Sequence, residues 1–141
     1  HITSRVVIVS DIDDTLLQSF ISNKMRKLRT LLFTTVERRK AVVSMQRIIK
    51  HLSHTFEATP FYLSNSEQNL YPLIRRFLDY NNFPPGALLL RRMRTLRNIF
   101  LRMTPAERTR HKLESLQKIL ALFNVRKFVL IGDNTQQDLF I

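Results

Sequence analysis

Asp11-Ile12-Asp13-Asp14-Thr15 places three carboxylates within four residues, directly after the apolar run Val6-Val7-Ile8-Val9. Carboxylates this close repel one another unless a cation neutralises them or one keeps its proton. A hard divalent cation with oxygen ligands, magnesium above all, resolves that repulsion. An isolated aspartate pair after a strand more often caps the following helix, but Asp133 and Asp138 follow a later apolar run, Phe128-Val129-Leu130-Ile131. Acids gathered from both ends of the chain point to a metal or a reaction. Two further residues are weaker candidates. Ser64, after Phe61-Tyr62-Leu63, suits a donor to an anionic oxygen, although serine is also an ordinary turn residue. Lys112 alone reads as a solvated surface lysine and gains meaning only from the others.

These residues need a scaffold that brings strand ends together. Four short apolar runs without alternation, around Val6–Val9, Phe61–Leu63, Leu88–Leu90 and Phe128–Ile131, suit strands buried on both faces of a parallel sheet, and each ends in polar residues. Helical patterns fill the intervals. Leu70, Leu73, Ile74, Phe77 and Leu78 have the spacing of a one-sided helix, and Asn81-Asn82 with Pro84-Pro85-Gly86 stops it. Thr104-Pro105-Ala106-Glu107 reads as a capping box, opening a helix whose stripe is Leu113, Leu116, Leu120 and Phe123. A further helix is expected from Glu37 to Leu52, with Val43, Ile48, Ile49 and Leu52 inward, although Arg38-Arg39-Lys40 opposes the dipole at its start. Residues 19–35 have no clean period and read as a small insertion over the end of the first strand. The alternation predicts one α/β domain with a parallel sheet of at least four strands between helical layers, and ligands bound outside the carboxyl ends of the strands.

Composition bounds the function. The chain has 141 residues, 44% hydrophobic and 24% charged, enough for one packed domain and unlike a disordered tail. It has no cysteine, which removes disulfide, zinc-thiolate and thiol-nucleophile chemistry. No apolar run approaches the roughly 20 residues that span a bilayer. Net charge is +12 and the pI about 11.1, so an anionic partner is expected: nucleic acid, an acidic membrane surface or an organic phosphate.

The motifs together resemble a known family. Asp11-Ile12-Asp13-Asp14-Thr15 matches the DxDx[TV] signature of the haloacid dehalogenase superfamily of phosphotransferases. Ser64, Lys112, and Gly132-Asp133 with Asp138 match its remaining motifs in order. More narrowly, the chain resembles the catalytic domain of actin-patch-type phosphatidate phosphatases. The residues that carry this likeness are Val9 to Thr15, Phe61 to Ser66, Leu70 to Leu73, Phe83 to Arg91, His111 to Glu114 and Lys127 to Asn134. It departs from the family pattern at Asn134, Leu139 and Arg92.

The resemblance implies a three-layer Rossmann-like haloacid dehalogenase fold with a minimal cap, which residues 19–35 would form. It also implies a single catalytic domain over residues 1–141, with more chain to follow Ile141. It makes Asp11 the nucleophile that forms an aspartyl-phosphate, and Asp13 the acid that protonates the leaving alkoxide and then the base for water. Crowding by Asp11 and Asp14 favours the proton Asp13 needs for the first role. Ser64 and Lys112 would bind phosphoryl oxygens. Mg2+ would be held by the Asp11 carboxylate, the Asp13 carbonyl, Asp133 and Asp138. The expected activity is magnesium-dependent hydrolysis of phosphatidate to diacylglycerol. The expected location is cytoplasmic, with peripheral contact to anionic membrane through Lys24 to Arg29 and Arg91 to Arg97, although a solvated face explains those runs equally well. A phosphatase for a soluble phosphomonoester is one alternative. A basic nucleic-acid-binding module without catalysis is another, disfavoured because its phenylalanines occupy core-like positions.

Overall fold

A computed structural model describes residues 6–12, 36–92, 104–123 and 127–132. The elements run β1 (Val6–Asp11), α1 (Val36–Thr55), β2 (Pro60–Glu67), a single 3-10 turn (Gln68–Leu70), α2 (Tyr71–Tyr80), β3 (Ala87–Arg91), α3 (Pro105–Leu122) and β4 (Lys127–Ile131). The strands form one parallel sheet in the order β3-β2-β1-β4. The α/β architecture expected from the alternation is therefore present. The proposed insertion at 19–35 lies outside the described residues.

Right-handed crossovers dictate where the helices go. From β1 to β2 to β3 the chain moves one way across the sheet, so α1 and α2 share a face. It then returns past β1 to β4, which sends α3 to the other face. Two separate cores reflect this. Ile12, Val42, Met45, Ile49, Tyr62, Ile74, Phe77, Leu78 and Phe83 form one. Val7, Val9, Leu63, Ile119 and Phe123 form the other. β1 with Ile12, the residue after it, supplies both because successive side chains point to opposite faces, and residues Val7 to Ser10 are buried. β3 and β4 are only half-buried, contrary to the expectation of burial on both faces, because each is flanked on one side only among the described strands. The aromatic side chains serve these cores: Phe61 meets Phe123, and Tyr62 meets Phe83, edge to face.

Two helix faces differ from those expected. On α1, Val42, Met45 and Ile49 point inward, while Val43 and Ile48 are 44% and 52% exposed. The helix carries two neighbouring apolar arcs, and the sheet covers only one. On α3, the buried residues are Ser115, Ile119 and Phe123, with Leu116 partly covered, whereas Leu113 and Leu120 face out. A stripe through 115, 119 and 123 continues backward to 112. That rotation turns Lys112 towards the sheet. The cap of α3 is as expected: Thr104 Oγ1 accepts from the Glu107 amide at 3.2 Å, and Glu107 accepts from the Thr104 amide at 2.8 Å. α2 ends where the asparagines stand, with Asn81 Nδ2 donating to the Phe77 carbonyl at 2.8 Å and Asn82 in the left-handed region at φ 56°.

Candidate active site

The chain reverses its direction of travel across the sheet between β1 and β4, and such a switch point leaves a crevice at the carboxyl ends of the strands. Asp11 ends β1 at that crevice. The register aligns Ser10 with Ile131 and Asp11 with Leu63. Gly132, one residue beyond Ile131, is therefore level with Asp11 across the switch point, and Ser64 lies one residue beyond its partner on the other side.

By the alternation of β1, Asp11 shares the α3 face with Val7 and Val9. There Lys112 Nζ donates to Asp11 Oδ2 at 2.5 Å, between side chains only 12% and 13% exposed. The pair joins residues 101 positions apart in the sequence. Two sequence candidates thus meet at one strand end, and a nearly buried cation beside a carboxylate is placed to serve an anionic ligand.

Ser64 is buried, and its hydroxyl accepts from the Ser66 amide at 3.0 Å. It does not end β2 as expected: the strand continues to Glu67. Instead the β2–β3 ladder is interrupted just after it, since Ser64 pairs with Leu90 and Glu67 with Arg91. Arg91 holds this irregular segment, donating from Nε to the Asn65 carbonyl at 3.2 Å and pairing with Glu67 at 2.9 Å. His111 lies on the other side. Burial lowers its pKa from the ordinary imidazole value, a hydrogen bond to the Ser64 main chain opposes that shift, and the Arg91 and Lys118 charges reinforce it against Glu114. A groove of about 580 Å³ between β3 and α3 is lined by Leu90, Arg91, Arg92, Arg110, His111 and Lys118 among others.

Asp13, Asp133 and Asp138 lie outside the described residues, and among the described residues no three His, Asp or Glu side chains come together. The crevice nevertheless has the chemistry for a hard cation. Asp11 offers the carboxylate oxygen that such an ion takes. Sequence reasoning did not single out His111 or the Arg91–Glu67 pair as functional. The adjacency of His111 to Lys112 was the available signal.

A family model described as phosphatidate phosphatase APP1, catalytic domain, matches residues 6–141. The chain is 27% identical over 132 residues to the phosphatidate phosphatase APP1 of Saccharomyces cerevisiae, covering 94% of this chain. It is 33% identical over 141 residues to an uncharacterized protein of Schizosaccharomyces pombe, covering 96% of this chain. It spans 22% of the length of each of these relatives. No solved structure matches the chain. Among the described residues, no helix is long and apolar enough to cross a membrane.

Proposed function

The chain belongs to the family of phosphatidate phosphatase APP1 catalytic domains, and from that membership we propose that it hydrolyses a lipid phosphate, phosphatidate to diacylglycerol, with a divalent metal, Mg2+, at the switch-point crevice. The observation that carries this reading is the Asp11–Lys112 pair at the end of β1. A carboxylate is a weak nucleophile towards phosphorus and needs in-line placement and neutralised oxygens. Asp11 sits at a fixed strand end, and Lys112 supplies positive charge beside it.

In this reading an Asp11 oxygen attacks phosphorus as the bond to the leaving alkoxide breaks, giving an aspartyl-phosphate. Asp13 gives its proton to the alkoxide oxygen, then removes one from the water that attacks the phosphoryl-enzyme, which restores Asp11 and releases phosphate. Ser64 Oγ–H and Lys112 Nζ hold phosphoryl oxygens through both steps. Asp11, the Asp13 carbonyl, Asp133 and Asp138 would hold the metal, which would supply charge that offsets repulsion between the two anions. The basic surface and the groove between β3 and α3 favour an anionic substrate presented at a membrane.

The test is phosphate release with and without Mg2+ from phosphatidate vesicles and from soluble phosphomonoesters such as glycerol 3-phosphate. Magnesium-dependent release from phosphatidate is expected, abolished in Asp11→Asn with its circular dichroism unchanged. Wild-type activity in that variant removes Asp11 as the nucleophile. Equal kcat/KM on soluble esters replaces the lipid substrate with a soluble one.

A further inference from the structure

The peptide group between Asn65 and Ser66 lies where the β2–β3 ladder is interrupted. Ser64 pairs with Leu90 and Glu67 with Arg91, so the two residues between them have no pair on β3. An irregularity of this kind re-aims the side chains beside it. Both ends of the peptide group are bonded to side chains. Its carbonyl, from Asn65, accepts from Arg91 Nε at 3.2 Å, and its N–H, from Ser66, donates to Ser64 Oγ at 3.0 Å. A trans peptide group is planar, with C=O and N–H fixed in opposite directions, so whatever holds the carbonyl also aims the amide. Arg91 is aimed in turn by Glu67, whose carboxylate accepts from Nη2 at 2.9 Å.

The Ser64 backbone is held by the ladder, through its pair with Leu90, independently of the Arg91 side chain. What the ladder does not set is the hydroxyl. A serine Oγ turns about one torsion, χ1, and offers two acceptor positions and one hydrogen. Acceptance from the Ser66 amide fixes that torsion and confines the hydrogen to directions away from the amide. We propose that Arg91 is a positioning residue: its guanidinium, anchored on Glu67, pins the Asn65–Ser66 peptide plane and, through it, the orientation of the Ser64 hydroxyl. The use made of that hydroxyl rests on the phosphatase reading; the pinning of the plane does not.

A guanidinium suits this task because its donors are coplanar and diverge at fixed angles, so a carboxylate on Nη2 aligns the Nε donor as well. Lysine keeps the charge without that fork. The pair is partly enclosed, with side chains 17% and 29% exposed, so water competes less for either bond. A rival role for Arg91 is direct contact with an anionic substrate from the wall of the groove between β3 and α3. That role would show in KM and would not depend on Ser64.

The experiment compares Arg91→Met, Arg91→Lys, Glu67→Ala, Glu67→Gln, Ser64→Ala and the double variant Ser64→Ala/Arg91→Met, using p-nitrophenyl phosphate and phosphatidate vesicles with Mg2+. Arg91→Met and Glu67→Ala are expected to lower kcat about 10- to 100-fold with KM changed less than about threefold, as a small misplacement of a phosphate-binding group does. Arg91→Lys is expected to stay at least about tenfold below wild type, and Glu67→Gln, which keeps an oxygen acceptor for Nη2, to come within about threefold of it. In the Ser64→Ala background Arg91→Met is expected to cost less than about threefold, since its effect passes through Ser64. Equal losses in both backgrounds, a loss confined to KM, full activity in Arg91→Lys, or no difference between Glu67→Gln and Glu67→Ala overturns the proposal. Hydrogen exchange reads the peptide plane without activity. The Ser66 amide is expected to exchange at least about tenfold faster in Arg91→Met, while the Ile12 amide, which donates to the Leu63 carbonyl at 3.0 Å, is unchanged. Unchanged exchange at Ser66 overturns the pinning, and equally faster exchange at both amides overturns it in favour of general stability. If the wild type releases no phosphate from any ester, the phosphatase reading falls and exchange alone decides the pinning. A wild-type kcat in Ser64→Ala removes Ser64 from the phosphoryl site and overturns the catalytic consequence. Should Arg91→Met fail to fold, Glu67→Ala against Glu67→Gln carries the same comparison.

Discussion

Replacing Lys112 with methionine separates what the Asp11–Lys112 pair contributes to folding from what it contributes to catalysis. The two charges are 2.5 Å apart, with 12% and 13% of their side chains exposed. At an effective dielectric near 20, Coulomb's law gives an attraction of about 7 kcal/mol, before the cost of taking both ions out of water. That desolvation cancels much of the gain, so the pair itself adds little net stability. Removing one partner is different, because the desolvation of Asp11 is no longer compensated. For a pair this enclosed the loss is about 3 kcal/mol. With a urea m-value of about 2 kcal/mol/M, Lys112→Met should lower the denaturation midpoint by about 1.5 M in metal-free buffer. Asp11→Asn/Lys112→Met, which leaves neither charge, should lose about 2 kcal/mol less than the two single losses combined. The catalytic part is read from phosphate release with Mg2+. Loss of a donor that stabilises transition-state charge lowers kcat by about 10²- to 10³-fold. A midpoint within about 0.2 M of wild type would show that the pair is not closed in solution. Additive losses would show that the two charges do not interact. A kcat within threefold of wild type would remove Lys112 from the phosphoryl site.

Two further predictions concern the scaffold that carries β2. A Cβ on Gly86 would lie 2.2 Å from the Pro60 carbonyl oxygen and 2.8 Å from Tyr62 Cε2. Strand backbone must move to admit it, so Gly86→Ala should cost about 3 kcal/mol and lower Tm by about 10 °C; a fall under 2 °C refutes the close approach. Tyr62 is fully buried, its hydroxyl donates to the Pro84 carbonyl at 2.6 Å, and burial raises its pKa well above the usual phenol value, against the influence of Arg75. Its neutral form therefore contributes stability that is complete below the unfolded pKa near 10 and lost as pH rises towards the folded value, at about 1.4 kcal/mol per pH unit. Tyr62→Phe should be less stable at pH 8 and lose this component of the slope between pH 10 and 11 in urea denaturation; parallel slopes for the two proteins refute it.

Much of this was legible from residue types. Uninterrupted apolar runs ending in polar clusters mark parallel strands with open carboxyl ends, and that logic placed Asp11 at the end of β1, whereas β2 runs past Ser64 to Glu67. The capping box at Thr104 was equally legible, since its hydrogen bonds are local. What failed depends on distant partners. Val43 and Ile48 are as apolar as Val42 and Ile49, and only the sheet decides which arc of α1 is covered. On α3 the leucines suggested one face, but the helix buries Ser115, Ile119 and Phe123, which brings a lysine inward where a stripe through Leu113 and Leu120 would have left it in water. The place of His111 on the wall of the groove was not legible because it depends on how α3 is rotated over the sheet. The interruption of the β2–β3 ladder after Ser64 is likewise a property of two strands together.

The net charge of +12 changes meaning on the same grounds. Between Thr15 and Gly132 there are 22 basic residues against 6 acidic ones, a balance that by itself suits any polyanion. Some of those cations are internal fittings. Arg75 donates to the Gly86 carbonyl and pairs with Asp79, Arg91 holds the Ser64–Glu67 segment, and Lys112 holds Asp11. Their charge is directed at this chain's own carbonyls and carboxylates and is largely neutralised there. The field available to a partner comes from exposed groups such as Lys40, Arg47, Lys50, Arg92, Arg110 and Lys118. Of these, Arg92, Arg110 and Lys118 line the groove beside α3, with His111 on its wall. In the proposed reading the exposed groups would concentrate an anion by long-range attraction that salt weakens, and Lys112, released from Asp11 by the metal's charge, would hold it at short range where salt has little effect.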